Sequence, residues 1–106
     1  YGLQLGMYEI KTTETYDEWF YSLKDTQGKA RINARLRRVE LGNFGDAEPA
    51  GDHVSELRFF FGSGYRIYFI QHGDEIIILL AGGNKSTQQK NIDKALELAK
   101  EIRGEL

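Results

Sequence analysis

Cysteine is missing from this 106-residue chain. That excludes a disulfide scaffold, a thiolate metal site and a thiol nucleophile, and it fits a reducing compartment. Proline, methionine and tryptophan occur once each. Long apolar runs are missing too. The longest, Ile76 to Ala81, falls far short of the ~20 residues a membrane span needs. No basic start followed by an apolar stretch reads as a signal peptide, so a cytoplasmic protein with no membrane partner is expected. Two isolated histidines and scattered acids offer no metal-ligand spacing. Net charge is small as well. Fourteen basic side chains against sixteen acidic ones give −2, which at first sight argues against a nucleic-acid binder.

What is present suffices for one domain. Apolar residues make up 41% of the chain and aromatic ones 12%, enough for a single core without staples. Residues 1–6 precede the only methionine and read as an N-terminal extension, with the domain covering residues 7–106. A short strand is expected from Tyr8 to Thr12. Thr15 with Glu18 is a capping-box start. Tyr16, Trp19, Phe20 and Leu23 then share one helix face. Gly28 is expected to break the chain before a second helix that runs to Leu41, with Ile32, Leu36 and Val39 inward and Gly42 as its stop. The short link makes the two helices antiparallel neighbours. Gly42 to Gly51, around Pro49, reads as one long loop.

The second half predicts a meander: Val54 to Phe61, Tyr65 to Gln71 and Glu75 to Ala81, joined by turns at Gly62-Ser63-Gly64 and His72-Gly73-Asp74. Gly82-Gly83 ends the third strand, which is apolar on both sides and so central. Ser86 with Gln89 is a second capping box. Ile92, Ala95, Leu96, Ala99 and Ile102 form the stripe of a last helix stopped by Gly104. The class is α+β: an N-terminal helix pair on a small, mainly antiparallel sheet, with a C-terminal helix.

Side chains alternate faces along a strand. Pairing Phe61 with Tyr65 sets Phe60 against Arg66 and Arg58 against Tyr68, with Leu57, Phe59, Phe61, Ile67 and Phe69 on an apolar face. The helices should cover that face. Glu56, Arg58, Arg66 and Tyr68 are left on the other, either as a solvated sheet face or as a site. On the second helix Arg31, Arg35 and Arg38 fall at i, i+4 and i+7. This basic stripe is a solvated helix face or a phosphate contact. Gly83-Asn-Lys-Ser86 lacks the upstream glycine of a P-loop, and Gly62-Ser-Gly64 joins two strands, so neither cradles a nucleotide phosphate.

Four segments carry a resemblance: Leu41-Gly-Asn-Phe-Gly-Asp46, Ser55-Glu-Leu-Arg58, Gly62-Ser-Gly-Tyr-Arg-Ile-Tyr-Phe69 and Gly82-Gly-Asn-Lys-Ser-Thr-Gln88. Together with Thr13-Glu-Thr-Tyr-Asp-Glu-Trp19 they resemble the RelE/ParE toxin superfamily, and within it the HigB-like branch of phage-derived addiction-module killer proteins. The resemblance spans Met7 to about Arg103. It implies the RelE-like fold and a toxin of a type II toxin–antitoxin pair. It also implies an endoribonuclease (mRNA interferase) that cuts messenger RNA in the ribosomal A site, inhibits translation, and needs no metal or cofactor. The implied partners are the ribosome, messenger RNA and a cognate helix-turn-helix antitoxin. ParE-like relatives inhibit gyrase instead, and a third possibility is an inactive relative that only binds an antitoxin.

Metal-free RNA cleavage has a ribose 2′-OH attack the adjacent phosphate. It needs a base, an acid and cations for the charge gathering on the phosphate oxygens. Arginine suits the last role because its planar fork binds phosphate and stays charged. The resemblance places Arg66, of Gly-Tyr-Arg, as the active-site arginine, with Arg58 beside it. Lys85, before a helix start, is the second cation. His53 is the candidate base because it precedes the Arg58 strand. Glu48 and Glu56 are alternatives, and relatives place a catalytic glutamate in the loop of Glu48. Tyr68 could stack on a base or donate a proton. Tyr65 faces the core, and His72 is a turn residue.

Overall fold

A strong apolar alternation builds the centre of the molecule, and two edge strands complete it. The computed structural model describes residues 7–104, so the expected extension lies outside them. In chain order the elements are β1 (Glu9–Thr12), α1 (Glu14–Ser22), α2 (Thr26–Glu40), β2 (Ala47–Gly51), β3 (Val54–Arg58), β4 (Arg66–His72), β5 (Ile76–Gly83), a 3-10 turn (Lys85–Thr87) and α3 (Gln88–Ile102). One five-stranded sheet has the order β1-β5-β4-β3-β2. Its pairs are antiparallel except β1 with β5, which is parallel. Among the described residues no helix is long and apolar enough to cross a membrane.

Each face of the sheet carries its own core. Ile32 and Val39 of α2 and Tyr16 of α1 pack with Leu57, Phe59, Ile67, Phe69, Ile77 and Leu79 on one side. Ala95 and Ala99 of α3 pack with Val54, Tyr68, Ile70 and Leu80 on the other. The expected apolar face is therefore correct, but the opposite face is not solvated, because α3 lies across it. β5 is central, as its two-sided apolar run requires.

Several local expectations shift. The cap of α1 is Thr13, not Thr15; its hydroxyl accepts from the Tyr16 N–H and donates to the Leu80 carbonyl oxygen. Gly28 does not break the chain but lies inside the first turn of α2. A Cβ there would meet the Asp25 carboxylate and the Tyr65 ring, and Asp25 is the true cap. The helices lean on strands, α1 on β5 and α2 on β1, more than on each other. The second capping box is formed by Asn84 with Thr87. Half of the expected loop is β2, an edge strand. Pro49 is tolerated there because an edge residue need not donate to a second neighbour.

The hairpin register also differs. Arg58 pairs with Arg66 and Glu56 with Tyr68, two residues from the expected pairing. A slip of two preserves every face, so the face assignment survives the wrong pairing. Strand β3 ends at Arg58, and Phe59 to Gly64 form a longer connection closed by a Phe59 N–H to Tyr65 carbonyl bond.

Candidate functional site

The α3 side of the sheet ends in two rows of polar residues. One row carries Asp46, just ahead of β2, with Arg58 and Arg66, because the Arg58 N–H bonds the Asp46 carbonyl and Arg58 pairs with Arg66. The next carries Glu48, Glu56 and Tyr68. Like charges directly opposed across a ladder are destabilising, so the Arg58–Arg66 pair needs compensation.

Arg58 receives it. The guanidinium bonds the Asp46 carboxylate at 2.9 Å and reaches Glu48 at 3.3 Å. The bond to Asp46 raises its pKa further. Arg66 receives none. It is 92% buried (8% exposed), and its Nε is sealed from solvent without a hydrogen-bond partner. Among the described residues no carboxylate forms an ion pair with it. The expectation that Arg66 is exposed is corrected, because α3 and the turn after β5 close over this face.

Tyr68 is also corrected. It is fully buried and donates to Glu56 Oε2 at 2.9 Å, so it cannot stack on a base. Burial and the adjacent Glu56 push its phenol well above the ordinary tyrosine range. Gln88, at the start of α3, donates to the same Oε2 at 2.8 Å. Both bonds use one oxygen and leave Oε1 without a partner among the described residues. Lys85 is exposed in the 3-10 turn, with its backbone on the Gly62–Gly64 turn through Ser63.

His53 does not join this group. It sits with Asp52 in the β2–β3 turn, where both residues have positive φ, 62° and 51°. Four residues of β3 separate it from Arg58, roughly 17 Å from one Cα to the other along the strand. Arg35 is corrected as well. Instead of facing solvent it donates to the carbonyls of Phe44, Asp46 and Arg58 and ties α2 to the sheet edge. Its burial lowers its pKa. Arg31 and Arg38 stay exposed. They flank a cleft of about 320 Å³ that also reaches Arg58 and Phe60.

Sequence reasoning missed Gln88, whose contact is long-range, and Phe60. The signal for Phe60 was present: in a Phe-Phe-Phe run whose outer members face the core, the middle one must face away. Among the described residues no group of His, Asp and Glu is arranged to hold a metal ion.

The family described as phage-derived Gp49-like protein matches residues 18–103. An uncharacterized protein of Haemophilus influenzae is 48% identical over 94 residues, covering 89% of this chain and 95% of that protein. A double arginine-to-alanine mutant of the Escherichia coli toxin RelE, solved in the free state, superposes with a TM-score of 0.70. Identity to it is 12%, with 86% of this chain and 96% of that one covered. The architecture is thus the RelE fold.

Proposed function

Because the chain belongs to the Gp49-like family of phage-derived proteins, we propose that it is the toxin of a type II toxin–antitoxin pair and an endoribonuclease that cuts messenger RNA on the ribosome. The fold shared with the toxin RelE supports the toxin part of this reading. The nuclease part is carried by one observation: Arg66 is a largely buried cation with no counter-charge among the described residues, paired across the ladder with a second arginine. A buried charge without a partner is costly, and a bound phosphate removes that cost.

In this reading Arg66 holds the non-bridging oxygens of the scissile phosphate, and its charge counts most as the pentavalent transition state gathers negative charge. Arg58 is held by Asp46 and Glu48 and is less free to bind. Lys85 supplies a second cation from the turn. Glu56 is the stronger candidate base. Tyr68 and Gln88 clamp one oxygen, while Oε1 is left to take the 2′-OH proton. Glu48 is occupied by Arg58. The protein works in the cytoplasm, and its antidote is a helix-turn-helix antitoxin protein.

The test is a cell-free translation reaction with mapped messenger RNA ends. Wild-type protein should cut translated message, and Arg66→Ala should lower the rate by about 100- to 1,000-fold, the loss usual for one transition-state donor. Gyrase trapped on DNA with intact message would replace this reading with a ParE-like one.

A further inference from the structure

Phe60 is 76% exposed, although Phe59 beside it is 3% exposed and in the core. It stands at the mouth of the cleft between α2 and the end of β3. The Arg58 guanidinium lies 5.7 Å from the centre of its ring. Deeper in, Arg35 covers Phe59 at 4.6 Å and Arg31 covers Phe61 at 5.0 Å. Four arginines and three aromatic rings thus line the cleft, against one acid, Asp46, which Arg58 already neutralises.

We propose that this cleft binds one nucleotide of single-stranded RNA next to the cleavage site, with its base stacked on Phe60 and its flanking phosphates on Arg31 and Arg38. The proposal rests on the ribonuclease reading for the choice of RNA. An exposed aromatic face beside unpaired arginines suits any base and its phosphates. Among the described residues Arg31 and Arg38 make no ion pair or hydrogen bond. They lie two helical turns apart, about 10 Å along the axis, a span within reach of consecutive phosphates. Arg35 is not free to move, but its charge deepens the positive floor. An acidic peptide fits less well. Extended peptides bind through main-chain hydrogen bonds, and the carbonyls of Phe44, Asp46 and Arg58 that border the cleft are already taken by Arg35. Arg58 belongs to both regions: it is opposite Arg66 and against Phe60, so a strand crossing one passes the other.

The experiment is fluorescence anisotropy with a labelled 2′-O-methyl oligoribonucleotide of about six nucleotides, which binds but lacks the attacking hydroxyl. Phe60→Ala should weaken binding at least about fivefold, the lower end for loss of one stacked base. Phe60→Trp should restore it. Arg31→Ala and Arg38→Ala should each reduce the salt dependence of binding by somewhat less than one unit of slope. Thermal melting should show Phe60→Ala as stable as wild type, since the side chain is exposed. No binding by the wild type, Phe60→Ala binding equal to it, or a Phe60-dependent preference for a polyglutamate peptide would each overturn the proposal. The two readings fail separately. Phe60-dependent binding by a protein that cuts nothing keeps the cleft and removes the nuclease, and unchanged cleavage and binding by Phe60→Ala does the reverse.

Discussion

In the proposed site, Arg66 sets function against stability within one side chain. Its side chain is largely buried opposite Arg58, with its Nε sealed and no carboxylate partner among the described residues. Replacing it by Met should remove activity yet leave the fold as stable or more stable, by about 1 kcal/mol in urea denaturation. A clear loss of stability would mean that Arg66 is structural. Asp25 behaves in the opposite way. It caps α2 through the Gly28 N–H and accepts from the Tyr65 hydroxyl at 2.8 Å. Those two bonds, the Gly28 one first, hold its carboxyl below the usual carboxylate range. A group with a lowered folded pKa stabilises above its unfolded pKa, and loses that contribution as pH falls through the folded value. Asp25→Asn keeps a capping oxygen but no charge, so its melting temperature should lie below wild type at neutral pH, with the gap closing below about pH 4. A gap that persists in acid would assign the effect to geometry alone.

At the scale of elements, Gly82 and Gly83 show why some features were legible and others were not. Both looked like the end of a strand, yet they complete β5. Trp19 of α1 occupies the space of a Gly82 side chain, and Asn91 of α3 that of Gly83. Gly82→Ala should therefore destabilise by about 1–3 kcal/mol, as overpacking does, measured by urea titration. An unchanged midpoint would mean that the indole moves freely. The helix stripes and strand faces were readable because they depend on local period. The hairpin pairing was read two residues out, and period alone cannot detect an even slip. Strand β2 has few strand-forming residues and exists because β3 offers a ladder. The cover over Arg66 and Tyr68 was invisible because it depends on where α3 lands. Arg58, Arg66, Glu48 and Lys85 were found at one end of the sheet, whereas His53 required a turn at the opposite end.

For the whole molecule, a net charge of −2 describes no actual surface. Arg31, Arg38 and Arg58 line one cleft, while Glu9, Asp74 and Glu75 lie where β1 meets the start of β5. Binding to RNA should therefore depend on salt through only two or three local phosphate contacts, a log–log slope of about −2. A much steeper slope in anisotropy titrations would mean a wider electrostatic footprint. The parallel pairing of β1 with β5 reaches beyond binding. Thr13 bonds Leu80 across 67 residues of chain, and Glu9 to Thr12 have no ladder until Ile76 to Leu79 have been synthesised. The sheet can then close only after β5 has been made, and such distant contacts make folding slow. The β3–β4 hairpin that pairs Arg58 with Arg66 needs no such wait: on the growing chain the two arginines can meet before β5 exists, and they lie open until α3, made last among the described elements, crosses that face.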